Sequence, residues 1–326
     1  MTQAANDRAP RVSVVVPVYR SARTLPELVR RLAAVLDAEG LSHELILVDD
    51  GSPDESWSVL REIHEEMPDR VVAVELMRNF GQHNALMCGL GRARGEVVVT
   101  LDDDLQHPPE EIPKLLGALD ERGLDLAYGL YDTKRHDRWR NAGSWLLTSL
   151  YMWLFQVDVP FASFRAIRRD LVRSVLTYSL NFTFLDGLLA WNTARIGAVE
   201  VEHAERSEGA SGYSISKLLR LSLNLLTNFS LIPLQFVSLV GLLAATGGIG
   251  LGLVFLVAAL TGRMEVPGYA STIVAVLMLG GVQLLALGIM GEYLGRVHLN
   301  INRKPQYVER RALETVGESG GDAGSA

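Results

Sequence analysis

The sequence predicts an α/β domain with a mostly parallel sheet, followed by a hairpin of two membrane-spanning helices. Three observations predict it. Short apolar runs alternate with amphipathic segments from Val12 to Leu130, and polar residues collect behind each run. Charged residues, dense up to Arg220, then vanish until Arg263 and again from Val266 to Gly291. The 326 residues have room for one large domain or two smaller ones, each with a sizeable core.

The runs VSVVVPV (Val12–Val18), ELILVDD (Glu44–Asp50), VVAVELM (Val71–Met77), EVVVTLD (Glu96–Asp102) and DLAYGLY (Asp125–Tyr131) read as buried strands. Between them Thr24–Ala38, Asp54–Met67, Gln82–Ala93 and Pro109–Arg122 carry helical spacing. Ser52-Pro53-Asp54 offers an N-cap, and Pro108-Pro109 followed by two glutamates makes a good first turn. Strand–helix alternation of this kind builds a largely parallel sheet. Beyond Arg135 the periodicity is mixed: a helix near Trp139–Phe155, a strand near Ala162–Ile167, further helix to Trp191 and a strand at Ala198–His203.

Ser214–Asn228 is amphipathic, with Lys217 and Arg220 near its start, and suits a helix lying on a membrane surface. Leu231–Leu260 and Tyr269–Leu294 each exceed the roughly 20 residues that cross about 30 Å of hydrocarbon. Their short joint, Thr261–Gly268, makes a hairpin. Lys217 and Arg220 flank one end; Arg296, Arg303, Lys304, Arg310 and Arg311 flank the other, against a single arginine in the joint. The positive-inside tendency then puts both ends in the cytosol. Met1–Pro10 has no apolar signal core, which also keeps the soluble part cytosolic. The expected layout is a polar N-terminus (1–11), a cytosolic catalytic domain (12–210), a juxtamembrane helix (211–230), two spans (231–294) and a cytosolic tail (295–326) with a disordered end. Such a chain is a multi-pass protein of the plasma (inner) membrane. The small-xxx-small pairs Gly248/Gly252 and Gly291/Gly295 let membrane helices approach closely.

The net charge of −7 comes without a basic run, so nucleic acid is not an expected partner. One cysteine, Cys88, excludes an internal disulfide and a multi-cysteine zinc site, and reads as packing. There is no GxxxxGK[ST] loop, strand-linked GxGxxG, GxSxG elbow or HExxH, and the seven histidines lack ligand spacing.

The polar groups behind the strands carry the chemistry. Pro17-Val18-Tyr19, Asp49-Asp50-Gly51, Arg78-Asn79 and Asp102-Asp103-Asp104 each fall at a strand's carboxyl end, the edge where open α/β sheets bind ligands. Three adjacent carboxylates repel one another, and a bound cation relieves that cost. Asp102 and Asp104 share a face if the strand is still extended there, and an oxygen-rich site suits Mg²⁺ or Mn²⁺ beside a diphosphate. The alternative is a solvated acidic turn capping the next helix; the strand-end setting favours the metal. Asp49 or Asp50 can accept hydrogen bonds from a ribose or base, or else serve a capped turn. Arg140 and Arg206 are candidates for phosphate, since guanidinium matches phosphate oxygens bidentately, though a lone arginine is often a plain surface residue. Arg206 lies in HAERSEGASGYS, a loop placed to close over a donor beside the membrane.

VSVVVPVYRS, ELILVDDGSPD, RNFGQHNAL, LDDDLQHPPEEIPKL, FRAIRRD, RSEGASGYS and GEYLGR, in this order and ahead of a membrane hairpin, resemble family 2 glycosyltransferases of the polyisoprenyl-phosphate type. That group includes dolichyl-phosphate mannose synthase, GtrB-like glucosyltransferases and ArnC-like undecaprenyl-phosphate aminoarabinose transferases. The resemblance runs from about Val12 to Tyr307. It implies a GT-A fold, a divalent cation (Mg²⁺ or Mn²⁺), inversion at the anomeric carbon, a nucleotide-sugar donor, a polyisoprenyl phosphate acceptor and self-association. By motif, Pro17, Tyr19 and Asp50 would line the nucleotide, with Asp49 and Asp103 beside them. Asp102, Asp104 and Gln106 would hold the metal. Arg140 and Arg206, with Ser211 and Tyr213 nearby, would meet phosphates. The sequence departs from the pattern at Gly212, where relatives often carry lysine, and before Phe164-Arg165, where only Asp158 is acidic and near. A processive synthase would show a QxxRW-like motif, which Asp137-Arg138-Trp139-Arg140 does not fit. A non-enzymatic membrane scaffold would leave the acidic strand ends idle.

Overall fold

All seven residues of β1 (Val12–Val18) are buried, as a strand covered by helices on both faces requires. The structure is a computed structural model that describes residues 9–131, 149–178, 183–202, 227, 230–261, 269–302 and 304–314. The chain divides into two compact units, Met1–Tyr213 with Pro305–Ala326, and Ser214–Lys304.

In the first unit β1 is followed by α1 (Leu25–Ala38), β2 (His43–Asp49), α2 (Ser56–Glu66), β3 (Val71–Leu76), α3 (Gln82–Arg92) and β4 (Val97–Thr100). A short 3₁₀ turn, Pro109–Glu111, leads into α4 (Ile112–Glu121) and β5 (Leu126–Leu130). After a helical stretch at 149–155 come β6 (Arg165–Arg168), α5 (Arg169–Leu176), α6 (Leu185–Asn192) and β7 (Ile196–Glu200). The apolar periods seen in the sequence face inward: α1 buries Leu25, Leu28, Val29, Leu32 and Leu36 at helical spacing. Close approach occurs where α3 crosses β1. A Cβ on Gly89 would stand 2.3 Å from Val15 Cγ1, so only glycine fits there.

The sheet has eight strands in the order β7-β5-β6-β4-β1-β2-β3-β8, where β8 is Glu309–Leu313. Pairs β1–β2, β1–β4, β2–β3 and β5–β7 are parallel; β4–β6, β5–β6 and β3–β8 are antiparallel. The chain runs from β1 outward to β3 on one side and returns to β4 on the other. The order therefore reverses between β1 and β4, which opens a crevice at the carboxyl ends of those strands.

Two features differ from the expectation. β6 inserts antiparallel between β4 and β5, so consecutive strands of the sequence are not neighbours there. The segment expected to be a C-terminal tail also returns to the sheet, as β8 on the free edge of β3. Three of its five residues are charged, with Arg311 ion-paired to Glu75 and Glu309 paired to Arg92 at 2.6 Å. An edge strand held by ion pairs has no apolar run to announce it.

The second unit contains α7 (Ile232–Leu260) and α8 (Tyr269–Ile301). Windows Ile232–Val254 and Met278–Ile301, of mean hydropathy 2.0 and 1.3, are long and apolar enough to cross a membrane. Leu243, Val254, Leu284 and Leu294 point outward and exposed, which suits lipid rather than water. α8 runs past the expected end at Leu294 to Ile301, carrying a Glu292–Arg296 ion pair at 2.6 Å. Nothing in the sequence breaks the helix before Pro305. Tyr293 Oη donates to the Ser230 carbonyl at 2.7 Å. Most of the expected juxtamembrane helix lies outside the described residues.

Candidate active site

The crevice holds a cavity of ≈ 420 Å³ lined by Pro17, Val18, Tyr19, Asp50, Asn79, Gly81, Gln82 and Asp102 to Asp104. Every lining residue ends or follows β1, β2, β3 or β4, so one rim collects the ends of four strands.

The end of β1 turns through Arg20, whose φ of +60° is unusual for a residue with a side chain. Asp103 holds this turn. Its Oδ2 accepts the Tyr19 N–H at 2.9 Å and the Ser21 hydroxyl, while its carbonyl accepts Thr24 Oγ1 at 2.7 Å. Burial pushes the Asp103 carboxyl up to about 6, against the pull of Ser21 and Tyr19 and with a further push from Asp102 and Asp104. Asp103 thus shapes the rim from beneath while Tyr19, 41% exposed, stands on it.

The end of β2 divides its two carboxylates. Asp50 accepts the N–H groups of Phe80 and Gly81 at 2.6 and 2.9 Å, tying the β2 loop to the β3 loop at the cavity wall. Burial raises its pKa, and the two N–H groups pull it back. Asp49 is not among the residues that line the cavity. It is 1% exposed, its Oδ1 accepts the Ser52 N–H at 3.2 Å, and its Oδ2 has no hydrogen-bond partner. Burial is the first cause of its raised pKa. Gly51 lies between the loops at φ +65°, and a Cβ there would stand 2.6 Å from the Arg78 carbonyl carbon.

After β4, Asp102 takes hydrogen bonds on both carboxylate oxygens: from Gln82 Nε2 to Oδ1 at 2.6 Å and from Ser163 Oγ to Oδ2 at 2.7 Å. Asp104 Oδ1 accepts the Gln106 N–H at 3.1 Å, and Leu105 between them adopts φ +62°. That left-handed residue costs on the order of 1–3 kcal/mol and folds the acidic loop back on itself. Below it lies a buried pair, Arg165 with Asp186, joined by Tyr128 Oη donating to Asp186 Oδ1 at 2.9 Å.

The donor set can be tested against a divalent cation. Among the described residues no group of three His, Cys, Asp or Glu side chains forms a closed cage. Of the four carboxylates lining the cavity, Asp50 and Asp103 are engaged by loop N–H and hydroxyl groups, which leaves Asp102 and Asp104 as the pair for an ion. That arrangement fits Mg²⁺ or Mn²⁺, which bind through one or two carboxylates and complete their shell with waters and substrate phosphates. Gln106 contributes its backbone N–H to Asp104, and its side chain is not among the cavity-lining groups.

The fold therefore brings together Pro17, Tyr19, Asp50, Asp102, Asp103 and Asp104, and sets Asp49 behind the wall. Arg140, Arg206, Ser211 and Tyr213 lie outside the described residues. Sequence reading overlooked Ser163, Gln82 and His107 as partners of the acidic loop. His107 stands inside the LDDDLQHPP string, but nothing in the spacing ties Ser163 to Asp102.

Residues 13–176 match the family model described as "Glycosyl transferase family 2". The chain is 38% identical over 312 residues to undecaprenyl-phosphate 4-deoxy-4-formamido-L-arabinose transferase of Enterobacter sp. strain 638, covering 93% of this chain and 94% of that one. It is equally 38% identical to the protein of that name from Pseudomonas paraeruginosa, over 94% and 91% of the two chains. Among solved structures it is similar to glucosyl-3-phosphoglycerate synthase from Mycobacterium tuberculosis in complex with Mn²⁺, UDP and phosphoglyceric acid. That likeness has TM-score 0.47 and 24% identity over 68% of this chain and 78% of that one.

Proposed function

The chain belongs to glycosyltransferase family 2, and from that premise we propose that it moves a sugar from a nucleotide donor onto undecaprenyl phosphate at the cytosolic membrane face. The product is a lipid-phosphate-sugar used to modify cell-envelope glycans. The activity for which the relatives are named makes a 4-deoxy-4-formamido-L-arabinose nucleotide the first donor to try. One observation supports the reading: the acidic loop Asp102 to Asp104 opens into the crevice between β1 and β4, the kind of place where open α/β sheets bind ligands.

The chemistry needs no dedicated base. A phosphate monoester has a second pKa of about 6, so near neutral pH the acceptor is already largely a dianion and a nucleophile. The protein must orient it for in-line attack and stabilise the departing diphosphate. Tyr19, Pro17 and Asp50 form the nucleotide side of the cavity, with Asp103 keeping the Tyr19 loop in place. Asp102 and Asp104 would hold Mg²⁺ or Mn²⁺, which neutralises charge on the leaving diphosphate when bound. Gln106 is assigned to the same ion, and Arg140, Arg206, Ser211 and Tyr213 to donor or acceptor phosphate. Attack from the far side inverts the anomeric carbon. The hairpin spans the membrane twice with both ends cytosolic, and the protein self-associates.

The test is a donor screen with the full chain in detergent, undecaprenyl phosphate and Mg²⁺ or Mn²⁺, following radiolabel into the organic phase. A metal-dependent, mild-acid-labile lipid product one sugar long from a single donor is expected. Label on a polymer would favour a processive synthase; no product and no nucleotide binding would favour a scaffold. Replacing Asp104 by Ala is expected to abolish turnover, and unchanged turnover would remove the metal assignment.

A further inference from the structure

The register between β4 and β6 does something the sequence gives no hint of. The two strands run antiparallel with Val97 opposite Arg168 and Thr100 opposite Arg165. Continued past the end of β4, that register sets Ser163 opposite Asp102. The side chains meet there: Ser163 Oγ donates to Asp102 Oδ2 at 2.7 Å. From the other flank, Gln82 at the start of α3 donates to Asp102 Oδ1 at 2.6 Å. Both oxygens are thus gripped from opposite sides by donors on separate elements.

Ser163 is itself held. Its carbonyl accepts Thr100 Oγ1 at 2.9 Å, and Thr100 Oγ1 accepts Arg165 Nε at 2.9 Å, which ties the residue to the buried Arg165–Asp186 pair. Its hydroxyl lies 3.4 Å from His107 Nε2. The Asp102 N–H donates to His107 Nδ1 at 3.3 Å, so the ring proton, assigned from these partners, sits on Nε2 facing Ser163. His107 is 5% exposed, stacked on Tyr131 and packed against Phe164, so its ring cannot turn away. The hydrogen bonds then run one way: His107 Nε2–H to Ser163 Oγ, and Ser163 Oγ–H to Asp102 Oδ2. An ionised carboxylate has about four lone-pair sites, so each Asp102 oxygen keeps capacity for a cation after these two bonds.

We propose that Ser163, backed by His107 and matched by Gln82, is a positioning residue that orients the Asp102 carboxylate for the divalent cation and thereby sets the affinity for that ion. The inference rests on the metal reading of Asp102 given above. Partners that orient a ligating side chain typically alter metal affinity by about 10–100-fold when removed.

The test is direct Mn²⁺ binding to the full chain in detergent, with and without UDP, read as loss of the free-ion EPR signal, beside the thermal midpoint. Ser163→Ala is expected to weaken Mn²⁺ binding by about 10-fold or more with a midpoint close to that of the parent. In turnover the same variant needs more Mn²⁺ for half-maximal rate but recovers its kcat at saturating Mn²⁺. Ser163→Thr, which keeps the hydroxyl, restores the affinity, and the exposed Gln82→Leu change reproduces the defect from the other flank. Parent-like Mn²⁺ binding by both Ser163→Ala and Gln82→Leu overturns the positioning role while leaving the metal reading intact. Parent protein that binds no Mn²⁺ in either condition overturns both. A lowered midpoint with unchanged Mn²⁺ affinity assigns Ser163 to packing alone and also overturns the role.

Discussion

Removing the Asp186 carboxylate provides the sharpest test of how this domain is held together. Asp186 sits in the first turn of α6 with 4% of its side chain exposed, and Arg165 on β6 is 1% exposed. Burial works against the Arg165 charge, and its neighbours together, Asp186 first among them, more than restore it, leaving a net upward shift. Tyr128 Oη donates to the same carboxylate, and Tyr151 Oη to the Asp186 carbonyl at 3.5 Å. Asp186→Ala leaves Arg165 charged, buried and short of its counter-ion. Breaking a buried pair in this way costs about 3–5 kcal/mol, a large share of the roughly 5–15 kcal/mol that holds a domain folded. For a domain of this size each kcal/mol moves the midpoint by about 2–4 °C, so a fall of about 6–20 °C is expected. The assay is thermal unfolding of the full chain in detergent followed by tryptophan emission, with Trp57, Trp153 and Trp191 reporting from the catalytic unit. The double change Arg165→Met with Asp186→Leu removes both charges and should recover most of the loss, because an apolar pair of similar volume avoids the desolvation cost. A single-variant fall below about 3 °C, or a double variant less stable than Asp186→Ala, would refute the argument.

Other consequences are open to direct measurement. Asp49 has a folded pKa raised chiefly by burial, so its contribution to stability is full below about pH 4 and is lost as pH rises through the folded value. Asp49→Asn should therefore gain stability over the parent across that window and hold the gain at pH 7, without raising KM for the donor; a raised KM would return Asp49 to the nucleotide site. Gly51→Ala must fit a Cβ at 2.6 Å from the Arg78 carbonyl carbon at φ +65°. A loss of about 2 kcal/mol or more is expected, with weaker nucleotide binding because the Asp50 and Asn79 loops are forced apart. A midpoint and nucleotide affinity equal to the parent's would show that the loops yield freely. Cys88 is buried, donates to Glu309 on β8 at 3.3 Å, and has its thiol pKa pushed upward by burial and by Glu309. It should resist maleimide at pH 8 in the full chain and react once the chain is ended after Lys304; equal labelling would mean that β8 does not cover it.

The sequence by itself determined the central strands β1 to β4, their crossover helices and the two long apolar helices, since each is written as a local period. A strand covered on both faces must be an unbroken apolar run, as Val12–Val18 is, and a helix on such a sheet must repeat its apolar residues at three and four, as Leu25 to Leu36 do. The rim of the site was legible for the same reason. Strands of one parallel layer end on one side, so Tyr19, Asp50 and Asp102 had to gather there. What the tertiary structure alone decided is which side chains turn inward and which distant segments meet. Asp49 and Asp50 are adjacent carboxylates in the sequence, yet the pleat sends one behind the wall and the other onto it. β8 joins β3 from more than 200 residues away through ion pairs that carry no apolar signature. Ser163 reaches Asp102 only because β6 runs antiparallel beside β4 with a register that no local pattern encodes. Strand register is fixed by long-range pairing and by burial of whole faces, so the partners of the acidic loop become known when the sheet has closed around it.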